Sequence, residues 1–254
     1  QSPSSAASDV YKRQLCDFEG NANGFKILTQ SRPGREGGLR LSYATLGAFI
    51  KYPKESLPIK PTSDVSDKKY GFFQNEKNIY FDIANELGLS KNNGGYNRHP
   101  LTFLVEAADD ICYTIIDFED GINLGLVDED YALEYLINLV RDSINTEKYH
   151  SLNNTIDRVS YLRALSINTL INEAVEIFIE NEDDILNGKF NVALLKKSKF
   201  KPQIADIIKI SIEKIYESKE VIEKEVAGYN IINKLLDTFI SVSYTHLRAH
   251  ETLP

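Results

Sequence analysis

The sequence predicts an all-α fold, a multi-helix bundle of about seven helices. Three observations carry that expectation. Apolar residues recur at close to a 3.6-residue period along most of the chain, turn-rich connections containing Gly and Pro separate the periodic segments, and no stretch makes a convincing strand. The 254 residues, 42% hydrophobic and 26% charged, suffice for one large domain or two small ones. There is no short-period repeat and no second compositional domain. No apolar run reaches the roughly 18–20 residues that a bilayer span needs, so no membrane association is expected.

The formal net charge of −8 makes the chain as a whole a poor binder of polyanions. Lys196, Lys197, Lys199 and Lys201 form a local basic cluster, expected to be a solvated loop rather than a phosphate site. Cys16 and Cys112 are the two cysteines, with neither a CxxC pair nor a disulfide framework. Cys112 is expected to be a small core residue, and a reducing cytoplasm fits best.

Both ends look foreign. Residues 1–14, QSPSSAASDVYKRQ, and 242–254, VSYTHLRAHETLP, resemble translated sequencing-adapter tails. They are set aside from the fold as a fusion scar would be. His246 and His250 sit at i, i+4 and would otherwise imitate a helical metal pair. The expected native segment runs from about Leu15 to Ser241, an internal portion of a longer protein.

Taken in order, Phe18, Ala22, Phe25 and Leu28 fall at helical spacing in DFEGNANGFKILTQ. Gly20 and Gly24 cost that helix up to about 1 kcal/mol each, and admit either a ligand or a tightly packed helix. LSYATLGAFIKYP reads as a helix stopped by Pro53, with Lys51 and Tyr52 at its end. Residues 54–67 read as a surface loop, followed by a helix from about Gln74 that Gly88 ends. After the loop SKNNGGYN comes a helix opened by Pro100, and then DEDYALEYLINLVRDS, whose acidic first turn suits the helix dipole. A long amphipathic helix spans roughly Thr155 to Glu180, with Arg163 among its apolar residues. KPQIADIIKISIEKIYES and KEVIEKEVAGYNIINKLLDTFI complete the set, the last expected to be interrupted near Gly228.

The chain is organised around Arg98–Gly121, RHPLTFLVEAADDICYTIIDFEDG. Leu104, Ala107, Ala108, Ile111, Ile115 and Phe118 give its apolar face. Asp109, Tyr113 and Asp117, each four residues from the next, drift by only about 40° per step and make one stripe across that face. Acids in an apolar helix are costly unless they bind something. On the residues alone the stripe supports either a ligand site of unknown kind, or acids that cap other helices or pair with Arg98 or Arg163. The chain has no GxGxxG, GxxxxGK[ST], GxSxG or HExxH. His99 lies ten residues from Asp109, about 15 Å of helical rise, so the two cannot share a metal.

RHPLTFLVEAADDICYTIIDFEDG closely resembles a stretch of the deoxyguanosine triphosphate triphosphohydrolases, which are HD-domain phosphohydrolases. FEGNANGFKILT is similar to the same family's FEGNAQGFR-type motif, and GAFIKYP, KKYGFFQNE, VSYLRALSINTLI and VIEKEVAGYNIINKLLDTF follow in family order over nearly all of residues 15–240. The resemblance implies an all-α fold and metal-dependent hydrolysis of dGTP to deoxyguanosine and triphosphate. It implies a divalent cofactor, Mg or Mn, held in part by Asp109, with Asp110 structural. Tyr113 would pack on the deoxyribose or base and Asp117 would accept from the 3′-hydroxyl. Asn21, Lys51, Tyr52 and Lys69 match polar or phosphate-contacting positions. A homo-oligomer such as a hexamer, and single-stranded DNA as a regulator, are further implications. The family's first His, its His-Asp pair and its upstream catalytic His or Glu have no counterpart in this sequence, so the chain by itself is expected to be inactive. The alternatives are an HD-domain hydrolase of broader dNTP range and a non-catalytic helical module that binds nucleotide or single-stranded nucleic acid.

Overall fold

The computed structural model describes residues 19–56, 66, 68–91 and 94–251, with side chains through 242. Residues 1–14, Cys16, the first two residues of DFEGNANGF, most of the 54–67 loop, Asn92, Asn93 and 252–254 lie outside the described residues, as do the side chains of His246 and His250. Among the described residues there are ten α-helices and no β-strand. They are α1 (Gly20–Thr29), α2 (Tyr43–Phe49), α3 (Lys77–Glu86), α4 (Thr102–Asn123), α5 (Glu129–Val140), α6 (Thr146–Ser151), α7 (Thr155–Glu180), α8 (Glu182–Leu186), α9 (Lys201–Ile210) and α10 (Lys219–Glu251). Glu19–Ile215 forms one compact unit, and α10 belongs to another. No helix among the described residues is long and apolar enough to cross a membrane.

Side-chain caps explain several helix starts. Ser42, Asp128, Asn145 and Asn154 accept hydrogen bonds from the backbone N–H groups of Thr45, Tyr131, Lys148 and Asp157, satisfying donors that a helix leaves unpaired. Gly125 follows α4 at φ +69°, a conformation that ends a helix cheaply only without a Cβ.

Two apolar clusters hold the larger unit. The main one joins Phe103, Ile111, Ile115 and Phe118 of α4 to Leu133, Leu136 and Leu139 of α5, Val159, Leu162 and Leu170 of α7, and Ile207 of α9. A smaller one is aromatic. The rings of Phe72 and Tyr80 stack at 4.4 Å, while Phe25 and Tyr96 meet Tyr80 edge-on at 6.2 and 4.9 Å. Such offset and edge geometries suit the ring quadrupoles. α2 and α3 enclose this cluster with Leu46, Ile83 and Ala84.

Several expectations are corrected. α4 begins at Thr102, because Pro100 lies in a turn closed by a hydrogen bond from the Thr102 N–H to the His99 carbonyl at 2.9 Å. Its buried apolar face runs through Phe103, Ala107, Ile111, Ile115, Phe118 and Ile122; Leu104 is half-buried and Ala108 is exposed. Cys112 is exposed, since its neighbour Ile111 takes the core-facing position. α2 stops at Phe49, four residues ahead of Pro53. The short helices α6 and α8 were not expected. α9 passes into a π-helical turn, Ser211–Tyr216, where regular helix was expected. α10 is unbroken at Gly228 and continues to Glu251, across the boundary at which residues 242–254 were set apart. At Gly24 the choice between ligand and packing resolves to packing: a Cβ there would stand 2.8 Å from Phe49 Cζ of α2.

Candidate functional site

The amino-terminal half of α4 and the segment just beyond α2 meet through small contacts. The Thr102 hydroxyl donates to the carbonyls of Gly47 and Ala48, at 3.3 and 3.2 Å, tying the carboxyl end of α2 to the first turn of α4. Gly47 lets α2 lie against His99, whose Cδ2 would be 3.3 Å from a Cβ at that position. Burial holds the His99 imidazole below its ordinary pKa, and its Nδ1 accepts from the Leu101 N–H at 3.2 Å. Beyond α2 the chain turns through Lys51 and Tyr52, and Gly71 approaches the Tyr52 carbonyl too closely for a side chain.

A charged cluster results. The buried Glu106 carboxylate accepts from Arg98 Nη1 through Oε2 at 2.7 Å, and its Oε1 is 3.4 Å from Lys51 Nζ. The same ammonium is 3.8 Å from Asp109 Oδ2. The Arg98 guanidinium, itself buried, lies 5.8 Å from the centre of the Tyr52 ring and 5.4 Å from that of Phe103. Five residues from three segments therefore converge: Lys51 and Tyr52, Arg98, and Glu106 with Asp109 on one turn of α4. Asp110 is half-buried, and its carboxyl sits above the ordinary range. Burial is the largest cause, with Glu106 and Asp109 acting in the same direction against Lys51 and Lys196.

Further along α4, Tyr113 is 61% exposed and Asp117 half-buried. The stripe of Asp109, Tyr113 and Asp117 thus lies along an accessible edge of α4 rather than across its buried face. The acids that do enter the buried face are Glu106 and Glu119, and it is these that Arg98 and Arg163 neutralise. Among the described ion pairs, Arg98 and Arg163 are matched to these glutamates, and Asp109 to Lys51. The missed signal was spacing: Glu106 falls between Phe103 and Ala107 on the core-facing repeat, a position where an unpaired carboxylate is costly.

The other expected site residues, Asn21 and Lys69, lie on other segments of the chain. Asn21 lies in the first turn of α1, where its side-chain and backbone N–H groups donate to Glu19, at 2.7 and 3.2 Å. Lys69 is exposed in a bend before Phe72, and no described ion pair joins it to α4. The basic cluster is more anchored than a solvated loop. Buried Glu173 accepts from the Ser198 hydroxyl and the Lys199 N–H and pairs with Lys199 Nζ at 3.0 Å; Lys197 donates to Asn181 at 2.8 Å. Leu194–Lys197 forms a 3-10 turn that packs on α4, which is how Lys196 comes to act on Asp110.

Among the described residues, no three His, Cys, Asp or Glu side chains converge as a metal site. Asp109 offers one accessible hard oxygen donor, whereas Mg²⁺ or Mn²⁺ takes about six ligands, several of them water. These residues alone do not complete the coordination of a catalytic ion.

What the arrangement can do is bind an anion beside a carboxylate at one end, near Lys51 and Asp109. At the other end it offers an aromatic face and a second carboxylate, Tyr113 and Asp117. No family model matches the chain. It is 39% identical over 232 residues to a protein of Synechocystis sp. named deoxyguanosinetriphosphate triphosphohydrolase-like protein, a match covering 88% of this chain and 52% of that one. A protein of the same name from Pseudomonas aeruginosa is 32% identical over 252 residues, 96% of this chain and 56% of its own. Another, from Listeria monocytogenes, is 33% identical over 241 residues, 90% and 50%. The chain spans about half the length of the curated relatives it matches.

Proposed function

This chain is a relative of the deoxyguanosinetriphosphate triphosphohydrolase family, and on that premise we propose that α4 forms one wall of a site at which the complete protein hydrolyses dGTP to deoxyguanosine and triphosphate. The observation that carries the proposal is the placement of Lys51 Nζ 3.8 Å from Asp109, with Tyr113 and Asp117 on successive turns of the same accessible edge.

In this arrangement Lys51 binds the triphosphate as a point charge, and Tyr52 lines that end. Tyr113 packs against the deoxyribose or base, and Asp117 accepts a hydrogen bond from the sugar 3′-hydroxyl. Holding both ends fixes the α-phosphorus, and attack there is what leaves triphosphate intact. Asn21 and Lys69 are carried over from the family pattern as further contacts. A divalent cation, when bound, supplies polarisation of a phosphoryl oxygen and an oriented hydroxide. Asp109 would contribute one ligand to it, and the complete protein the rest.

The test is product analysis with the complete protein, each dNTP in turn, and Mg²⁺ or Mn²⁺. Equal amounts of deoxyguanosine and triphosphate, with dGTP the best substrate, are expected. Equal turnover of all four dNTPs would instead mark a hydrolase of broader range. Release of dGMP and pyrophosphate, or binding without turnover, would overturn the proposed reaction.

A further inference from the structure

We propose that Glu106 is a positioning residue that, clamped by Arg98, sets the Lys51 ammonium at the anion-binding end of the site. The proposal deepens the functional reading above and rests on it for the role of Lys51.

Lys51 needs such a device. It lies in a bend past the end of α2, so no helical backbone fixes its long stem, and a free lysine side chain samples many rotamers. Glu106 is the opposite kind of group. Its side chain is only 8% exposed and stands on the core-facing side of a 22-residue helix. One carboxylate oxygen is held by a buried guanidinium at 2.7 Å, leaving the other directed at Lys51, 3.4 Å away. Arg98 is in turn flanked by the rings of Phe103 and Tyr52, so the clamp also braces the residue next to Lys51.

Charge supports the same assignment. One carboxylate lies between two cations, and Arg98 already neutralises it at the shorter distance. Lys51 therefore keeps positive charge to present to Asp109 and to an arriving phosphate. A carboxylate whose only task was to satisfy Arg98 would not need to face the ammonium.

The test uses this chain with its lysines reductively dimethylated with ¹³C, which keeps them cationic. The Lys51 methyl signal is assigned by its loss in Lys51→Arg. It is expected away from the position of solvated lysines, and to move to that position in Glu106→Gln. Glu106→Asp, which keeps the charge for Arg98 but shortens the reach, is expected to move it as well, and serves if Glu106→Gln does not fold. A Lys51 signal unmoved in the folded variant overturns the proposal.

The companion measurement is calorimetric binding of dGTP and of deoxyguanosine in EDTA. The variant should bind dGTP about tenfold more weakly, the scale of one charge-assisted contact, with deoxyguanosine affinity unchanged. Lys51→Ala should match it, and the double variant should lose no more. Equal weakening for both ligands would mean a merely structural role and overturn the proposal. If the Lys51 signal moves but the wild-type chain binds dGTP no better than deoxyguanosine, the phosphate-binding role of Lys51 fails and the clamp stands.

Discussion

Arg163 of α7 grips both carboxylate oxygens of Glu119 on α4 through one nitrogen, at 2.8 and 3.0 Å. The pair bridges the two helices that share the main core, and its members differ in burial: Glu119 is 9% exposed and Arg163 38%. That asymmetry decides which partner is costly to lose. Arg163→Ala strands a buried carboxylate, whereas Glu119→Met leaves a guanidinium that can reach water. Arg163→Ala should cost about 1–2 kcal/mol, less than a fully buried pair because Arg163 is partly solvated. Glu119→Met should cost less. Urea unfolding of both variants checks the order, and the reverse order would show that the arginine is the desolvated partner.

Glu76 gives a pH signature away from the site. It is buried in the 3-10 turn before α3, and burial raises its carboxyl above the ordinary value of 4.5 despite nearby Lys26 and the backbone N–H groups around it. A folded state with the higher pKa binds the proton more tightly than the unfolded chain. Stability is therefore gained as pH falls from above the raised value towards 4.5, and lost as pH rises through that window. Glu76→Gln should be more stable than the parent at neutral pH, with the difference vanishing below the unfolded value. Urea midpoints measured between about pH 4 and 8 read this directly; a difference independent of pH would show that Glu76 does not titrate as described.

Gly121 sits where α4 meets the π turn after α9. A Cβ at this position would overlap the side chain of Ile215 and stand 3.4 Å from Val127 Cγ2. Gly121→Ala should destabilise by about 1–3 kcal/mol through overpacking, even though alanine is the better helix former. Adding Ile215→Val should recover part of the loss. Thermal melts of the single and double variants measure it, and a stabilised Gly121→Ala would mean the turn shifts freely.

Asp109 and Asp110 should separate in the complete protein. Asp109→Ala should lower turnover by about a hundredfold or more and weaken metal binding, on the scale seen when even outer partners of a metal are removed. Asp110→Ala should be milder, because its half-buried carboxyl lies about 100° round the helix from Asp109. Wild-type turnover in Asp109→Ala would end the metal assignment.

Much of this molecule was legible in its residues. The helical periodicity and the Gly- and Pro-containing connections pointed to an all-α chain, and the ordered motifs around Arg98–Gly121 carried its resemblance to the triphosphohydrolases. The four-residue spacing also determined that Asp109, Tyr113 and Asp117 share one edge, because helix geometry alone sets that angle. Which edge was not local information. Burial depends on what covers a face: α7 lies against Glu119, and the segments bearing Lys51 and Arg98 meet Glu106, while Asp109 and Tyr113 stay exposed. The same holds for Lys51 and Lys196. They lie 145 positions apart in sequence and read as a helix end and a loop, yet both act on Asp110 once α2 and the 3-10 turn dock on α4. Periodicity specified the helix and its stripe; only the packing of distant segments decided that a buried glutamate, held by Arg98, stands behind the lysine of the site.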